Sequence, residues 1–172
     1  MAGKENRTIR RLTPADAREY SRLRLQALKM NTAFFGSDYG EESKRPLEFF
    51  RKKMAATADN WVFGCLENGK LIGVVRLVRD PGKKERHKAS IFGMVVASNR
   101  RRKGIGRKLL EVAIGAAKEL KGVRQLHLTV TATNPGAITL YRQAGFVEYG
   151  RERDALLVAG KFHAELLMAK RL

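Results

Sequence analysis

Ile91-Phe92-Gly93-Met94-Val95-Val96 is an apolar run, and four residues later comes Arg101-Arg102-Lys103-Gly104-Ile105-Gly106-Arg107-Lys108. The run lies within residues 89–97, which read as a strand. Beyond the glycines, Ile105, Leu109, Val112, Ala113, Ala116 and Leu120 recur at helical spacing, and Lys121-Gly122 supplies a helix stop. A strand that enters a helix through two glycines lets main-chain amides approach a ligand with no side chain in the way. The helix start adds unpaired N–H donors and a partial positive charge, the ingredients of a phosphate site. Six cations gather there: Arg100, Arg101, Arg102, Lys103, Arg107 and Lys108. At this end of a helix each opposes the dipole by about a few tenths of a kcal/mol. An anion docked on the turn reverses that penalty.

Outward from this segment, the pattern supports one folded unit spanning residues 1–172. Thr8-Ile9-Arg10-Arg11-Leu12 reads as a short edge strand. Thr13-Pro14 with Asp16 then starts a helix carrying Tyr20, Leu23, Ala27, Leu28 and Met30. Residues 30–40 show no period and read as a loop, after which Pro46 opens a helix with Leu47, Phe50 and Met54 on one side. Strands 61–66 and 70–78 flank Asn68-Gly69, a hairpin signal. Leu126, Leu128 and Val130 alternate with His127, Thr129 and Thr131 as in a half-buried strand. Asn134-Pro135 starts a helix to about residue 144, and 146–158 with 161–172 form a long hairpin. The order is β-α-α-β-β-β-α-β-α-β-β, an α/β mixture: a mixed sheet with helices on both faces.

Hydrophobic residues at 44% and charged residues at 30% exclude a disordered chain. The single cysteine, Cys65, excludes an internal disulfide and a zinc finger, and its apolar strand makes it a buried small side chain. Residues 1–11 are polar and lack the apolar stretch of a secretion signal, and no run is long enough to span a bilayer, so a cytoplasmic setting is expected. Thirty-five Lys and Arg against seventeen Asp and Glu leave a net charge of +18, a field that attracts polyanions. Two phosphate motifs are excluded. A Walker loop is missing, and the dinucleotide fingerprint lacks its third glycine, position 109 being Leu.

Arg101-Arg102-Lys103-Gly104-Ile105-Gly106 does fit Arg/Gln-x-x-Gly-x-Gly/Ala, and with its context it resembles motif A of the GCN5-related N-acetyltransferases (GNAT). The 91–96 run resembles that family's splayed fourth strand. Asn134-Pro135-Gly136-Ala137-Ile138-Thr139-Leu140-Tyr141-Arg142-Gln143-Ala144-Gly145-Phe146 resembles its Asn-x-x-Ala-x-x-Leu-Tyr-x-x-x-Gly-Phe motif. The resemblance implies a largely antiparallel seven-stranded sheet with about four helices and acetyl-CoA as co-substrate, with no metal. It further implies that the main chain of Met94, Val95 and Val96 holds the pantetheine and polarises the thioester carbonyl. The amides around Arg101, Arg102, Lys103, Gly104, Ile105, Gly106 and Arg107 would hold the pyrophosphate. Asn134 would contact the pantetheine arm, and Tyr141 would stand near the sulfur as general acid.

An amine must lose a proton before it attacks a thioester. Relatives that use a carboxylate on the fifth strand place it where this chain has Thr129, which cannot serve. The other candidates are Asp38, Glu41 and Glu42, His127, or a water chain. The three acids are the one acidic patch of the chain and are expected to attract a cationic amine. The helix Arg24-Leu25-Gln26-Ala27-Leu28 and loop Phe35-Gly36-Ser37 are similar to those of bacterial members and favour a small-molecule amine acceptor. The alternatives are a ribosomal or N-terminal protein acceptor, a basic nucleic-acid-binding domain and a non-catalytic acyl-CoA sensor. No obligatory nucleic acid or membrane is expected. Leu156, Val158, Leu166 and Met168 alternate in the last hairpin, where they either form a homodimer interface or cover the sheet.

Overall fold

A computed structural model describes residues 6–172. The first five, which begin the polar N-terminal stretch and the 1–172 span, lie outside the described residues. In chain order the elements are β1 (Arg7–Arg11), α1 (Ala17–Met30), α2 (Tyr39–Glu42), α3 (Leu47–Met54), β2 (Asn60–Glu67), β3 (Lys70–Arg79) and β4 (Lys88–Val96). They continue with α4 (Ile105–Glu119), β5 (Gln125–Thr131), α5 (Pro135–Gln143), β6 (Val147–Val158) and β7 (Lys161–Arg171). The strands make one seven-stranded sheet in the order β1-β2-β3-β4-β5-β7-β6. Every neighbouring pair is antiparallel except β4 with β5. The expected mixed α/β architecture is therefore present, with α2 added where the sequence reads as loop. Four residues are too few to show a 3.6-residue period.

Helices cover both faces. On one, α1 and α3 bury Tyr20, Leu23, Ala27, Phe50 and Met54 against Val62, Leu71 and Val74. On the other, α4 and α5 bury Ile105, Leu109, Ala113, Ile138 and Tyr141 against Val75, Leu77, Leu126, Leu128 and Met168. Met30, expected on the apolar stripe, is 57% exposed at the last residue of α1, whereas Leu28 is buried as expected. In the final hairpin Leu166 and Met168 are core, while Leu156 and Val158 are half-buried. Among the described residues no helix is long and apolar enough to cross a membrane.

Strand β4 departs from regular pairing on both of its edges. It pairs with β5 only from Lys88 to Ser90, opposite Gln125 to His127, and beyond Ser90 the two strands diverge. On its other edge β4 bulges: Gly93 and Met94 stand opposite the single residue Val75, and Gly93 takes φ +55°. A bulge of this kind bends the strand and re-aims its side chains.

Strand β2 passes so close to its neighbours at Gly64 that a Cβ there would lie 2.6 Å from both Leu12 Cδ2 and Leu71 Cδ1. Both leucines are fully buried and have nowhere to move. Gly64→Ala is expected to lower stability by about 1–3 kcal/mol, read as a lower denaturation midpoint with an unchanged slope.

Candidate active site

The turn between β4 and α4 is built from backbone that ordinary residues avoid. Arg102 has φ +60° and Gly104 has φ +75°, and a Cβ on Gly104 would have no atom within 4 Å. Two left-handed residues close together turn successive N–H groups to one side, the arrangement that makes an anion-binding concavity. Gly106 faces the strand instead, where a Cβ would meet Met94 Cε at 3.2 Å and Leu140 Cδ2 at 3.4 Å.

This turn opens onto a cavity of about 550 Å³. Met94, Val95 and Val96 line it along β4, Arg101, Arg102, Gly104, Ile105, Gly106 and Arg107 at the turn, and Asn134 and Tyr141 on the α5 side. Of the residues read as coenzyme-binding, Lys103 alone is outside the lining. Arg100 joins it, its Nε also donating to Glu67. Arg101 Nε donates to the Val96 carbonyl at 3.2 Å, which ties the turn to the end of β4. Asn134 caps α5, its Oδ1 accepting from the Ala137 N–H at 3.2 Å.

A second cavity, of about 440 Å³, lies on the other side of the splayed strands. Both cavities share Phe34, Phe35, Met94, Asn134, Ala137 and Tyr141, so they meet at the Tyr141–Met94 contact. There the Tyr141 hydroxyl donates to Met94 Sδ at 3.6 Å. Tyr141 is 8% exposed, its ring packs edge-on against Phe146, and burial pushes its pKa up to about 12. It is a neutral phenol, and so a proton donor, at any physiological pH.

The acids and the histidine read as base or acceptor residues stand apart from this junction. Asp38 caps α2, its Oδ1 accepting from the Glu41 N–H at 3.0 Å, and neither lines a cavity. Glu42 is 6% exposed and holds Arg24 and Lys53. Burial pushes its carboxyl up, but Arg24 and Lys53 together hold it below the usual range. His127 packs edge-on against Tyr149 on β6, Nδ1 3.4 Å from the tyrosine hydroxyl, and burial with the nearby Lys88 lowers its pKa. Thr129 lines the second cavity, as does a carboxylate that sequence reasoning misses, Glu165 on β7. Burial, with the like charge of Glu152 directly opposite on β6, holds Glu165 above its ordinary value. Nothing in the local sequence marks it, since Glu165 lies 24 residues after Tyr141 and reaches the cavity only because β7 pairs with β5.

Comparison with known proteins closes the case for the architecture: the model of the acetyltransferase (GNAT) family matches residues 25–146. The chain belongs to the GNAT family. It is similar over 97% of its length, and 99% of the other chain, to the solved GNAT acetyltransferase from Streptococcus pneumoniae, with 30% identity and a TM-score of 0.85. Over 92 residues it is 28% identical to the spermidine N(1)-acetyltransferase of Vibrio cholerae, covering 54% of this chain and 51% of that one. Over 88 residues it is 36% identical to the [ribosomal protein bS18]-alanine N-acetyltransferase of Escherichia coli strain K12, covering 50% and 54%. The chain thus spans about half the length of these curated relatives.

The turn yields a direct test with the co-substrate the family resemblance implies. Gly104→Val puts a branched side chain at φ +75° and into the open face of the concavity. Calorimetry is expected to show acetyl-CoA binding weakened at least about tenfold, since left-handed strain alone costs about 1–2 kcal/mol.

Proposed function

We propose that this GNAT protein moves the acetyl group of acetyl-CoA to a primary amine of a small molecule, both substrates being bound together. The observation that carries the reading is the junction: two cavities on opposite sides of the splayed strands share one phenol and one strand segment. The first cavity fits the coenzyme, with a concavity of amides and four arginines at one end and the diverging edge of β4 along its length. Arg101, Arg102, Lys103, Gly104, Ile105, Gly106 and Arg107 are assigned to the diphosphate, and Met94, Val95, Val96 and Asn134 to the pantetheine. The second cavity is within the range of small-molecule pockets, about 300–1,000 Å³, which supports a free amine over a protein acceptor. A buried lone cysteine supports a reducing, cytoplasmic setting.

Acetyl-CoA supplies an activated thioester. Glu165 receives the proton of the acceptor ammonium and so frees the nitrogen lone pair for attack. A main-chain N–H of the β4 bulge stabilises the charge that develops on the carbonyl oxygen, an interaction whose loss elsewhere costs about 3–4 kcal/mol. As the carbon–sulfur bond breaks, Tyr141 gives its proton to sulfur, and the second proton leaving the nitrogen restores the phenol. A pKa near 12 makes Tyr141 a weak acid for a thiolate whose thiol lies near 8.5 in water. The walls that raise Tyr141 raise the thiol as well, which narrows the gap. Holding both substrates at the junction contributes several further kcal/mol.

Two variants separate these roles. Tyr141→Phe keeps the ring packing and is expected to lower kcat about 100-fold while leaving acetyl-CoA affinity within a few-fold; full turnover across pH would exclude the acid role. Glu165→Gln is expected to lower kcat/KM by a similar factor near pH 8 and to erase its acidic limb. That limb lies above the ordinary carboxylate range, because Glu165 must be ionised to act and its folded-state value is raised. For the same reason the favourable contribution of the protonated form is present below the unfolded-state pKa and lost as pH rises through the raised one. The glutamine variant should therefore melt no lower than the parent at pH 8, so a loss of activity cannot come from unfolding.

A further inference from the structure

Arg24 on α1, Lys53 on α3 and Arg76 on β3 line the second cavity together, and none of them is among the charges that shift Tyr141 or Glu165. They lie close enough for Arg24 and Arg76 both to act on Lys53 and on the Tyr20 phenol between them. One carboxylate, Glu42, serves the group. Arg24 Nε and Nη2 donate to it at 3.2 and 3.4 Å, and Lys53 Nζ donates at 3.3 Å. Three cations against one carboxylate leave an excess of two positive charges around a buried Arg24–Glu42 pair and the half-buried Lys53 and Arg76. Burial already disfavours the charged forms of Lys53 and Arg76. Such an excess is costly unless a further anion enters.

The donors such an anion would use remain open. Arg24 is 6% exposed, yet its Nη1 has no hydrogen-bond partner among the described residues. It lies beside the bulge, where the missing Cβ of Gly93 would be 3.8 Å away. Arg76 spends Nε on Asn60 Oδ1 at 2.6 Å, and its two terminal nitrogens have no hydrogen-bond partner among the described residues. Tyr20 lines the same cavity. A buried guanidinium with an unused N–H costs free energy that a bound oxygen recovers.

Resting on the acetyl-transfer reading above, we propose that the acceptor is a small amino acid-like molecule, an amine that also carries a carboxylate. Its anion is received by Arg24, Arg76 and Lys53, while its amine lies by Glu165 and Tyr141. The two ends of the cavity are oppositely charged, so they orient the molecule with nitrogen toward the junction. A polyamine meets the reverse: one carboxylate near the tyrosine and two surplus positive charges further in. The acids Asp38 and Glu41 do not line the cavity, and Glu42 is already engaged by its own cations, so none of the three offers a free site for an ammonium group.

The test compares α- and ω-amino acids of graded length with their methyl amides, and with spermidine, in a thiol-release assay with acetyl-CoA. At least one acid is expected to exceed its amide by tenfold or more in kcat/KM. In Arg76→Gln that ratio is expected to fall toward one through KM, with the KM for acetyl-CoA unchanged. Arg24→Lys, which keeps the pairing with Glu42 but gives up the spare N–H, is expected to act the same way should the first variant fold poorly. In parallel, calorimetry on the protein loaded with coenzyme A measures binding of an N-acetyl amino acid against its amide, with no turnover required. Acetylation of amides or spermidine as well as acids, with no preference for the N-acetyl acid, overturns this inference and leaves the transfer reading standing. Arg76-dependent binding of the N-acetyl acid without any thiol release upholds the anion site and overturns the transfer reading. Neither release nor binding overturns both.

Discussion

Past Ser90, one edge of β4 has no strand beside it. Backbone N–H and C=O groups demand partners wherever water is excluded, and a parting of strands in mid-sheet is costly unless something extended fills it. The rest of the site is arranged around that gap. The bulge at Gly93 and Met94 sets the angle at which β4 leaves its neighbour, and the turn at Arg102 and Gly104 lies at the end of the opened edge. Helix α5 brings Tyr141 to the far side. A molecule with a charged end and a thin polar arm satisfies both the turn and the strand edge.

Charge is organised with equal economy. Although the chain carries a large positive excess, its acids are placed where they hold structure: Glu67 takes Arg7 and Arg100, Asp59 takes Arg86, and Asp16 takes Arg10. Of the arginines along the walls of the two cavities, Arg76, Arg101 and Arg102 have no carboxylate partner among the described residues. Positive charge is thus concentrated at the two cavities, a placement that favours anions there. At the junction between the cavities the surroundings turn apolar, and the same burial that keeps Tyr141 protonated keeps Glu165 willing to accept a proton. Burial thus shifts both groups the same way, favouring the protonated form of each.

Much of this is legible in local sequence because its causes are local. The Asn68-Gly69 hairpin, the Asn134-Pro135 helix start and the glycines of the α4 turn each depend on the backbone preferences of one or two residues. Glu42 is not legible as a structural acid, since its partners Arg24 and Lys53 lie 18 and 11 residues away. Its neighbours in the chain make it resemble part of an exposed acidic loop. Helix α2 leaves no mark in the sequence because one turn has no period. Met30 falls on a helical stripe, and such a stripe does not say which of its positions the rest of the chain covers.

The sequence alone determined the order of the strands and longer helices, the glycine turn before α4 and the family pattern, since each follows from short-range periodicity and glycine geometry. Only the tertiary structure decided which charges share a cavity. Glu165 shares a cavity with Tyr141, and Arg24 with Arg76, through strand pairing and helix packing across the described chain, and electrostatics acts over distance in space without regard to distance in sequence.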